Sequence, residues 1–374
     1  MRTEDEPFFY SSRNQYLSKL FILSPTNNPT CAILWIAWCC GGCLSWCKDR
    51  CLLYSNKIKE PYLTQKCREF SYFCNMLYYR RKILLALIEA FGGHLTAKQL
   101  QKYLFLFTRK QEEKAFDFIP YYYGCFSFQA NQDIMTLAKL GYLSIIKSEN
   151  GRRIQICQPN NYLMMLDMFE QQAIKEIKEK FGCLSQNELI RYTYINYPYY
   201  ATKSTIAINL LNEEELAVID KQKRTFTEPQ LFTIGYEGRS LEKYINILLV
   251  NDVHILCDVR KNAYSQKYGF SKSQLEKACT GVGIKYIHIP QLGIESEQRQ
   301  DLKSQKDYEI LFESYEKSTL KENWDYLLYV RELIDTEKRV ALTCFEESHK
   351  QCHRGRVAKY LMQLPDITYT LKHL

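Results

Sequence analysis

Nowhere does the sequence offer the run of about 20 predominantly apolar residues that a membrane-crossing helix requires. The uncharged stretch at residues 31–47, CAILWIAWCCGGCLSWC, is too short and is interrupted by a glycine pair, so no membrane partner is expected. A secretory leader is missing too: the first ten residues, MRTEDEPFFY, are acidic where a signal peptide starts basic and turns apolar. The fifteen cysteines are therefore read as thiols of a reduced, cytoplasmic protein and not as a disulfide framework. There is no long basic run. The net charge of +8 comes from Lys and Arg interspersed with Asp and Glu, a pattern that permits an acidic partner such as nucleic acid without arguing for one. Ordinary zinc spacing is absent as well. Cys40, Cys43, Cys47 and Cys51 lie too close together for a finger or ribbon, and Cys344, Cys352 and His353, even with Glu346, lack a second tight ligand pair, so no metal ligand and no cofactor is assigned.

At 374 residues the chain exceeds one ordinary core, and two or three domains are expected. Eight of the fifteen cysteines precede residue 75, in a segment without sustained periodicity, whereas MLYYRRKILLALIEAFGG from Met76 onward reads like the start of an ordinary protein. The expectation is that Met76 is the native start and that residues 1–75 are an unstructured extension of the reading frame.

Regular patterns begin at Arg80. RRKILLALIEAF places Ile83, Leu84, Leu87, Ile88 and Phe91 at helical spacing before the Gly92-Gly93 stop. LTAKQLQKYLFLFTRK follows with Thr96 as N-cap and Leu100, Tyr103, Leu104 and Phe107 on one side. A turn containing Pro120 and Gly124 leads to a third helix ending at Gly141 and to a strand that a turn at Asn150-Gly151 folds back on RRIQICQ. Three helices and a two-stranded wing are the order of a winged-helix module, assigned to residues 76–160. QLQKYLFLF and YYYGCFSF resemble the core of a helical domain found in some toxin–antitoxin and mobile-element proteins, and that resemblance implies DNA or protein contacts rather than catalysis. Arg80, Arg81, Lys82, Lys98, Lys102, Arg109 and Lys110 are the candidates to face phosphates, against the plainer reading of solvated helix faces. The aromatic residues Tyr121, Tyr122, Tyr123, Phe126 and Phe128 are read as core and turn packing. Residues 161–225 read as a second helical part, with two helices broken at Pro198 and a further one in LLNEEELAVIDK, before the polar linker KQKRTFTEPQ.

From Leu231 the pattern changes. The apolar strands LFTIGY, HILCDVR, KYIHIP and RVALTCF alternate with the helices SLEKYINILLV, SKSQLEKACTG, KDYEILFESYEKS, NWDYLLYVRELID and GRVAKYLMQL. Residues 231–374 are accordingly an α/β domain with a mostly parallel sheet covered on both faces, a Rossmann-like arrangement of three layers, preceded by a mainly α region. Function in such a sheet sits at the carboxyl ends of the strands. Those ends carry Gly235 and Tyr236, Asp258 and Arg260, Gly293, and Cys344 with Glu346. The run TCFEESHKQCHRGRVAKYL then passes from strand through a polar loop to a helix whose entrance holds Cys352, His353 and Arg354. A helix N-terminus beside an arginine favours an anion and lowers the pKa of a nearby thiol. The candidate assignments are Cys344 or Cys352 as nucleophile, Glu346 and His353 in proton transfer, and Arg260 and Arg354 on the anion. The plainer counterparts are a structural Asp-x-Arg pair, small buried cysteines and a capping histidine.

TIGYEGRSLEKYINILLVNDVHILCDVRKNAYSQKYGFSKSQLEKACTGVGIKYIHIPQLG and the later LTCFEESHKQCHR resemble the bacterial and archaeal domain-of-unknown-function family 488, over about the last 140 residues of the chain. Position by position the family's pattern falls on Gly235, Tyr236, Asp258, Arg260, Asn262, Ser265, Gly293, Cys344, Glu346, Cys352, His353 and Arg354, with Ala263 where Pro often follows the asparagine. The resemblance supplies no activity. A more distant likeness, Asp-Val-Arg at one strand end and a Cys-terminated strand before an Arg-bearing helix, is to rhodanese sulfurtransferases and cysteine phosphatases, although the loop from Cys344 to Arg354 is longer and lacks their glycine-rich composition. Three readings follow: a thiol- or acid/base-dependent transferase or hydrolase acting on a phosphorylated or nucleotide-like anion, a ligand-sensing regulator whose N-terminal helices contact DNA or protein, and a non-catalytic accessory protein.

Overall fold

The computed structural model describes residues 77–374 apart from 149–150, 296–297, 299–301 and 303. The expected extension at residues 1–75, the cysteine-rich stretch within it and the start at Met76 lie outside the described residues. Among the described residues no helix is long and apolar enough to cross a membrane.

The N-terminal part is built from helix α1 (Tyr79–Ala90), strand β1 (His94–Thr96), α2 (Ala97–Thr108), the short strands β2 (Ile119–Tyr121) and β3 (Gly124–Phe126), α3 (Phe128–Lys139), and strands β4 (Leu143–Ser148) and β5 (Gly151–Ile156). Two of its three helices start where side chains satisfy the free N–H groups. Thr96 and Gln99 form a reciprocal capping box at α2, and Ser127 accepts from Ala130 N at α3. β1, β5 and β4 make a three-stranded antiparallel sheet, with Leu143 opposite Ile156 and Ser148 opposite Gly151. The segment around Pro120 and Gly124 is more ordered than a turn: β2 pairs antiparallel with β3, and Tyr121 stacks on Phe126 at 5.0 Å.

α4 (Met168–Phe181), α5 (Gln186–Asn196), the single turn α6 (Ala207–Leu210) and α7 (Glu213–Asp220) follow. The sequence places a second long helix after Pro198, but the structure has a short 3-10 turn, Pro198–Ala201. Tertiary packing overrides local propensity there. Tyr197 and Tyr200 lie edge-on to Phe105, with centroids 4.9 and 4.7 Å away, and Arg109 sits over the same ring.

The C-terminal part alternates β6 (Gln230–Gly235), α8 (Leu241–Val250), β7 (Ile255–Asp258), α9 (Lys272–Thr280), β8 (Lys285–His288), α10 (Gln305–Tyr315), α11 (Trp324–Glu337), β9 (Arg339–Cys344), α12 (His353–Leu361) and β10 (Thr370–His373). The five strands form one parallel sheet in the order β10-β6-β9-β7-β8. Alternate side chains serve opposite faces. Leu231, Ile255, Cys257, Val340 and Leu342 join a core with α10, α11 and α12, while Phe232, Ile234, Leu256 and Ala341 join another with α8 and α9. This double burial makes the strands apolar throughout, and so visible in the sequence. β10 is not visible: it is short and mostly exposed, with no apolar period.

The helical part seats on α8 and α9. Ile119 belongs to the α8–α9 core, and Tyr121 and Phe128 pack against it. Ser240 donates to Asp117 at 2.8 Å, Asn246 donates to Phe118 O at 2.8 Å, and the fully buried Glu242 accepts from Ser127 Oγ and Gln129 N. Burial pushes the Glu242 carboxyl above its ordinary value, against the hydrogen bonds from Gln129 and Ser127. A carboxyl raised in the folded state contributes stability that is present below its ordinary value of about 4.3 and is lost as pH rises through the folded value. Glu242→Gln keeps an acceptor and removes the charge. Its melting temperature relative to the unsubstituted protein should therefore climb as pH is raised from about 4 towards neutrality, and a pH-independent offset would show that Glu242 does not titrate in this seat.

Candidate functional site

Because all five strands run the same way, their carboxyl ends share one edge: Gly235 pairs in register with Cys344, and Asp258 with both Thr343 and His288. What the edge presents depends on how the exits of β6, β7 and β9 pack together. The β9 exit crosses directly over Gly235, where an added Cβ would lie 1.8 Å from Glu346 O. The β8 exit crosses the β7 exit at Gly293, where a Cβ would meet Lys261 N at 2.2 Å. Both glycines, candidate ligand contacts in the sequence, thus have a packing reason: backbone approaches backbone where no side chain fits.

Asp258 and Arg260 form a buried ion pair. Arg260 Nε lies 2.8 Å from Oδ1 and Nη2 2.5 Å from Oδ2, and Nη1 donates to Tyr236 Oη at 2.9 Å. Tyr286 completes the carboxylate by donating to Oδ2 at 2.6 Å. Burial pulls the Arg260 guanidinium down, but the hydrogen bonds and charge of Asp258 outweigh it and hold it above its ordinary value. Burial and then the Asp258 charge raise the Tyr286 phenol. Tyr236 is fixed by stacking on Phe270, with centroids 4.3 Å apart. The polar edge of Arg260 is therefore directed into the protein.

Arg354 is directed inward as well. It is 1% exposed, and its Nη1 and Nη2 donate to the carbonyls of Glu346 and Glu347 at 2.5 and 2.8 Å. It braces the β9 exit loop instead of reaching a ligand, and this geometry gives both arginines internal partners where the sequence suggested an anion. Ser265 is likewise engaged locally: its Oγ accepts from Lys267 N and its carbonyl accepts from Ser271 Oγ. Several basic residues of the N-terminal helices are held internally too. Lys102 is buried and donates to Cys125 O, Arg80 and Arg81 share Asp133, and Lys110 pairs with Glu176. Lys102 cannot face a phosphate backbone.

The reactive side chains do converge. Cys344 Sγ donates to Glu346 Oε2 at 3.3 Å and lies 3.7 Å from His353 Nδ1, with Cys352 Sγ 3.9 Å from the same nitrogen. His353 Nε2 is 2.7 Å from Val259 O. A carbonyl only accepts, so Nε2 carries the proton and Nδ1 faces the sulfurs. Cys344, Cys352 and His353 are all buried, and Glu346 is half-buried. Burial, reinforced by the neighbouring Cys344 and Glu346, pushes the Cys352 thiol well above its ordinary value, and Arg354 offsets only part of this. Cys352 is thus a poor thiolate on its own, and Cys344 is the sulfur that meets both Glu346 and His353. Cys257, buried inside β7, is pushed up to about 12 by burial. A spacing of eight and nine residues gives no warning that the loop between Cys344 and α12 folds back to join these groups.

At the exits of β7 and β8 and the start of α9 lies an open cleft of about 580 Å³ lined by Lys261, Asn262, Tyr264, Ser271, Lys272 and His288, with Glu276 on its wall, a volume within the range of small-molecule sites. Sequence reasoning named only Asn262 among these. Asn262 Oδ1 accepts from Tyr264 N and shapes the loop, and His288 Nε2 is held 2.9 Å from Arg260 O. The signal that could have found the rest is the position of Lys261 and of Ser271-Lys272, one beside a strand end and the other at a helix start.

Residues 240–361 match the family model described as Domain of unknown function DUF488. That span includes every candidate residue except Gly235 and Tyr236. No curated protein matches the chain.

Removing one member of the buried pair leaves the other charge stranded. Arg260→Ala should cost about 3–5 kcal/mol in denaturant unfolding, and a loss below about 1 kcal/mol, the scale of an exposed pair, would show that Asp258 is not dependent on it.

Proposed function

We propose that the C-terminal domain binds a small phosphorylated anion in the cleft over the carboxyl ends of β7 and β8 and acts on it with the Cys344–Glu346–His353 group. The observation that carries this reading is the lining of the cleft. Lys261 and Lys272 outnumber Glu276, and Asn262, Ser273 and His288 add hydrogen-bonding groups around them. Lys261 also pairs with Glu295 at 2.7 Å across an exposed contact, which an anion can displace at little cost because exposed pairs contribute only about 0–1 kcal/mol.

The fold supports the same place. β7 leads to α9 on one face and β8 to α10 on the other, which opens a crevice at their carboxyl ends. The Ser271 hydroxyl turns away to Ser265 O, so α9 begins without a side-chain cap; Lys272 N and Gln274 N donate to the carbonyls of Ala263 and Ser271, and the first turn still favours a negative group through its dipole. Val259, whose carbonyl holds His353, and Lys261 on the cleft wall are two residues apart on the same strand exit, and this shared segment supports a link between the anion and the thiol–imidazole group. On this reading His353 Nδ1 takes the Cys344 proton as the sulfur bonds to phosphorus, the phosphorus–oxygen bond to the leaving group breaks, and the imidazolium returns that proton to the departing oxygen, while Nε2–H stays on Val259 O and Glu346 stands on the other side of the sulfur.

Titration with inorganic phosphate and with a nucleoside monophosphate, followed by calorimetry, tests the cleft. Binding by the full chain should weaken roughly tenfold or more in the Lys261→Ala, Lys272→Ala double variant and should fall with added salt. Affinity unchanged by the double substitution would place the anion elsewhere.

A further inference from the structure

The thiols and imidazole at the end of β9 and the start of α12 offer three ligand atoms that all lie within 4.8 Å of one another. His353 Nδ1 stands 3.7 Å from Cys344 Sγ and 3.9 Å from Cys352 Sγ. Such separations match the edges of a coordination tetrahedron: bonds of about 2.3 Å to sulfur and about 2.0 Å to nitrogen set the two ligand atoms roughly 3.5 Å apart. The histidine is also prepared for the role. Its far nitrogen is bound to Val259 O at 2.7 Å, and a backbone carbonyl in that position is the usual support that orients a ligating imidazole and fixes its tautomer, here with Nδ1 turned towards both sulfurs.

We infer that Cys344, Cys352 and His353 form a binding site for one divalent cation of the zinc class, with a fourth coordination position beside Glu346. Two thiolates and an imidazole are a soft set that selects zinc-class ions over magnesium or calcium, which take oxygen ligands. The charge and atoms balance without an oxidant: two S–H bonds are replaced by two metal–thiolate bonds and two protons leave to solvent. Glu346 Oε2 lies 3.3 Å from Cys344 Sγ, and this residue is half-buried where the other three are buried. The fourth position therefore opens on the side of a carboxylate, which can take a proton from a metal-bound water. With the ion bound Cys344 is a ligand and not a nucleophile, so the thiol chemistry proposed above belongs to the metal-free chain. The inference shares its residues with the proposed function but does not depend on anion binding.

The site differs from a finger in where its parts come from. Cys344 ends a central strand, Cys352 and His353 open a helix, and the imidazole is anchored to a third segment, the exit of β7. Such a centre is held by the fold and not by a short ligand-rich loop.

The full chain, stripped with chelator and reloaded with zinc chloride, should hold one equivalent on this site by elemental analysis. Cys352→Ser and His353→Gln should each lose that equivalent or bind it at least tenfold more weakly, whereas Cys157→Ser and Cys183→Ser, at exposed thiols elsewhere, should retain it. The Lys261→Ala, Lys272→Ala chain should also keep its metal, which separates this inference from the anion reading. Metal content unaltered by both Cys352→Ser and His353→Gln, or no stoichiometric zinc after reloading, overturns it. Should either variant fail to fold, X-ray absorption at the zinc edge of the unsubstituted chain decides. A shell containing two sulfurs and an imidazole nitrogen sustains the site, and a shell of sulfur alone or oxygen alone overturns it.

Discussion

The buried pair of Asp258 and Arg260 is the constraint on which the carboxyl edge depends. Two charges are taken out of water at the end of a strand, and every polar contact they need is supplied by the protein: each carboxylate oxygen meets the guanidinium, and Tyr236 and Tyr286 fill the remaining directions. An arrangement so fully satisfied allows the segment from Asp258 to Arg260 one conformation. Two successive carbonyls of that segment then hold two imidazoles, Val259 O for His353 and Arg260 O for His288. One of these rings faces the thiols and the other lines the cleft. The ion pair thus orients both halves of the candidate site without entering either.

A second polar group performs the corresponding task at the back of the domain. Glu242 is buried in the first turn of α8, facing the N-terminal helices, and its carboxylate accepts from the backbone and hydroxyl groups that begin α3. Asn246 and Ser240 extend the contact to Phe118 and Asp117, just before β2. The seat is therefore specified by directional polar contacts as well as by the apolar ring cluster of Tyr121, Phe126 and Phe128. Apolar surfaces alone would tolerate several relative positions, whereas these hydrogen bonds accept one.

The parallel sheet was legible because double burial makes its three interior strands, β6, β7 and β9, largely apolar runs, and helix starts at Thr96, Ser185 and Asn212 carry capping boxes that sequence can show. The position of the reactive residues at strand ends followed from the same rule. Their partners did not. Whether Arg260 and Arg354 would meet a ligand or their own chain depends on side-chain direction, which residue type leaves open, and both turn inward to acceptors that are backbone or buried carboxylate. The meeting of Cys344, Cys352 and His353 was hidden for a related reason: metal spacing rules describe ligands gathered on one short loop, and here a strand and a helix from different ends of a loop bring them together. β10 escaped notice because an exposed edge strand of four residues has no period to read.

The position of β9 has a consequence for how the molecule comes to exist. β6 is a central strand, yet the neighbour that lies between it and β7 is one the chain reaches only at Arg339. Until that distant segment inserts, β6 and β7 have no common partner, and closing so long a loop is entropically costly and slow. Cys344 and the anchor of His353 belong to opposite sides of that late closure. A chain in which β9 has not joined the sheet can therefore contain most of its helices and still have no thiol–imidazole cluster, because that cluster exists only once β9 and β7 lie side by side.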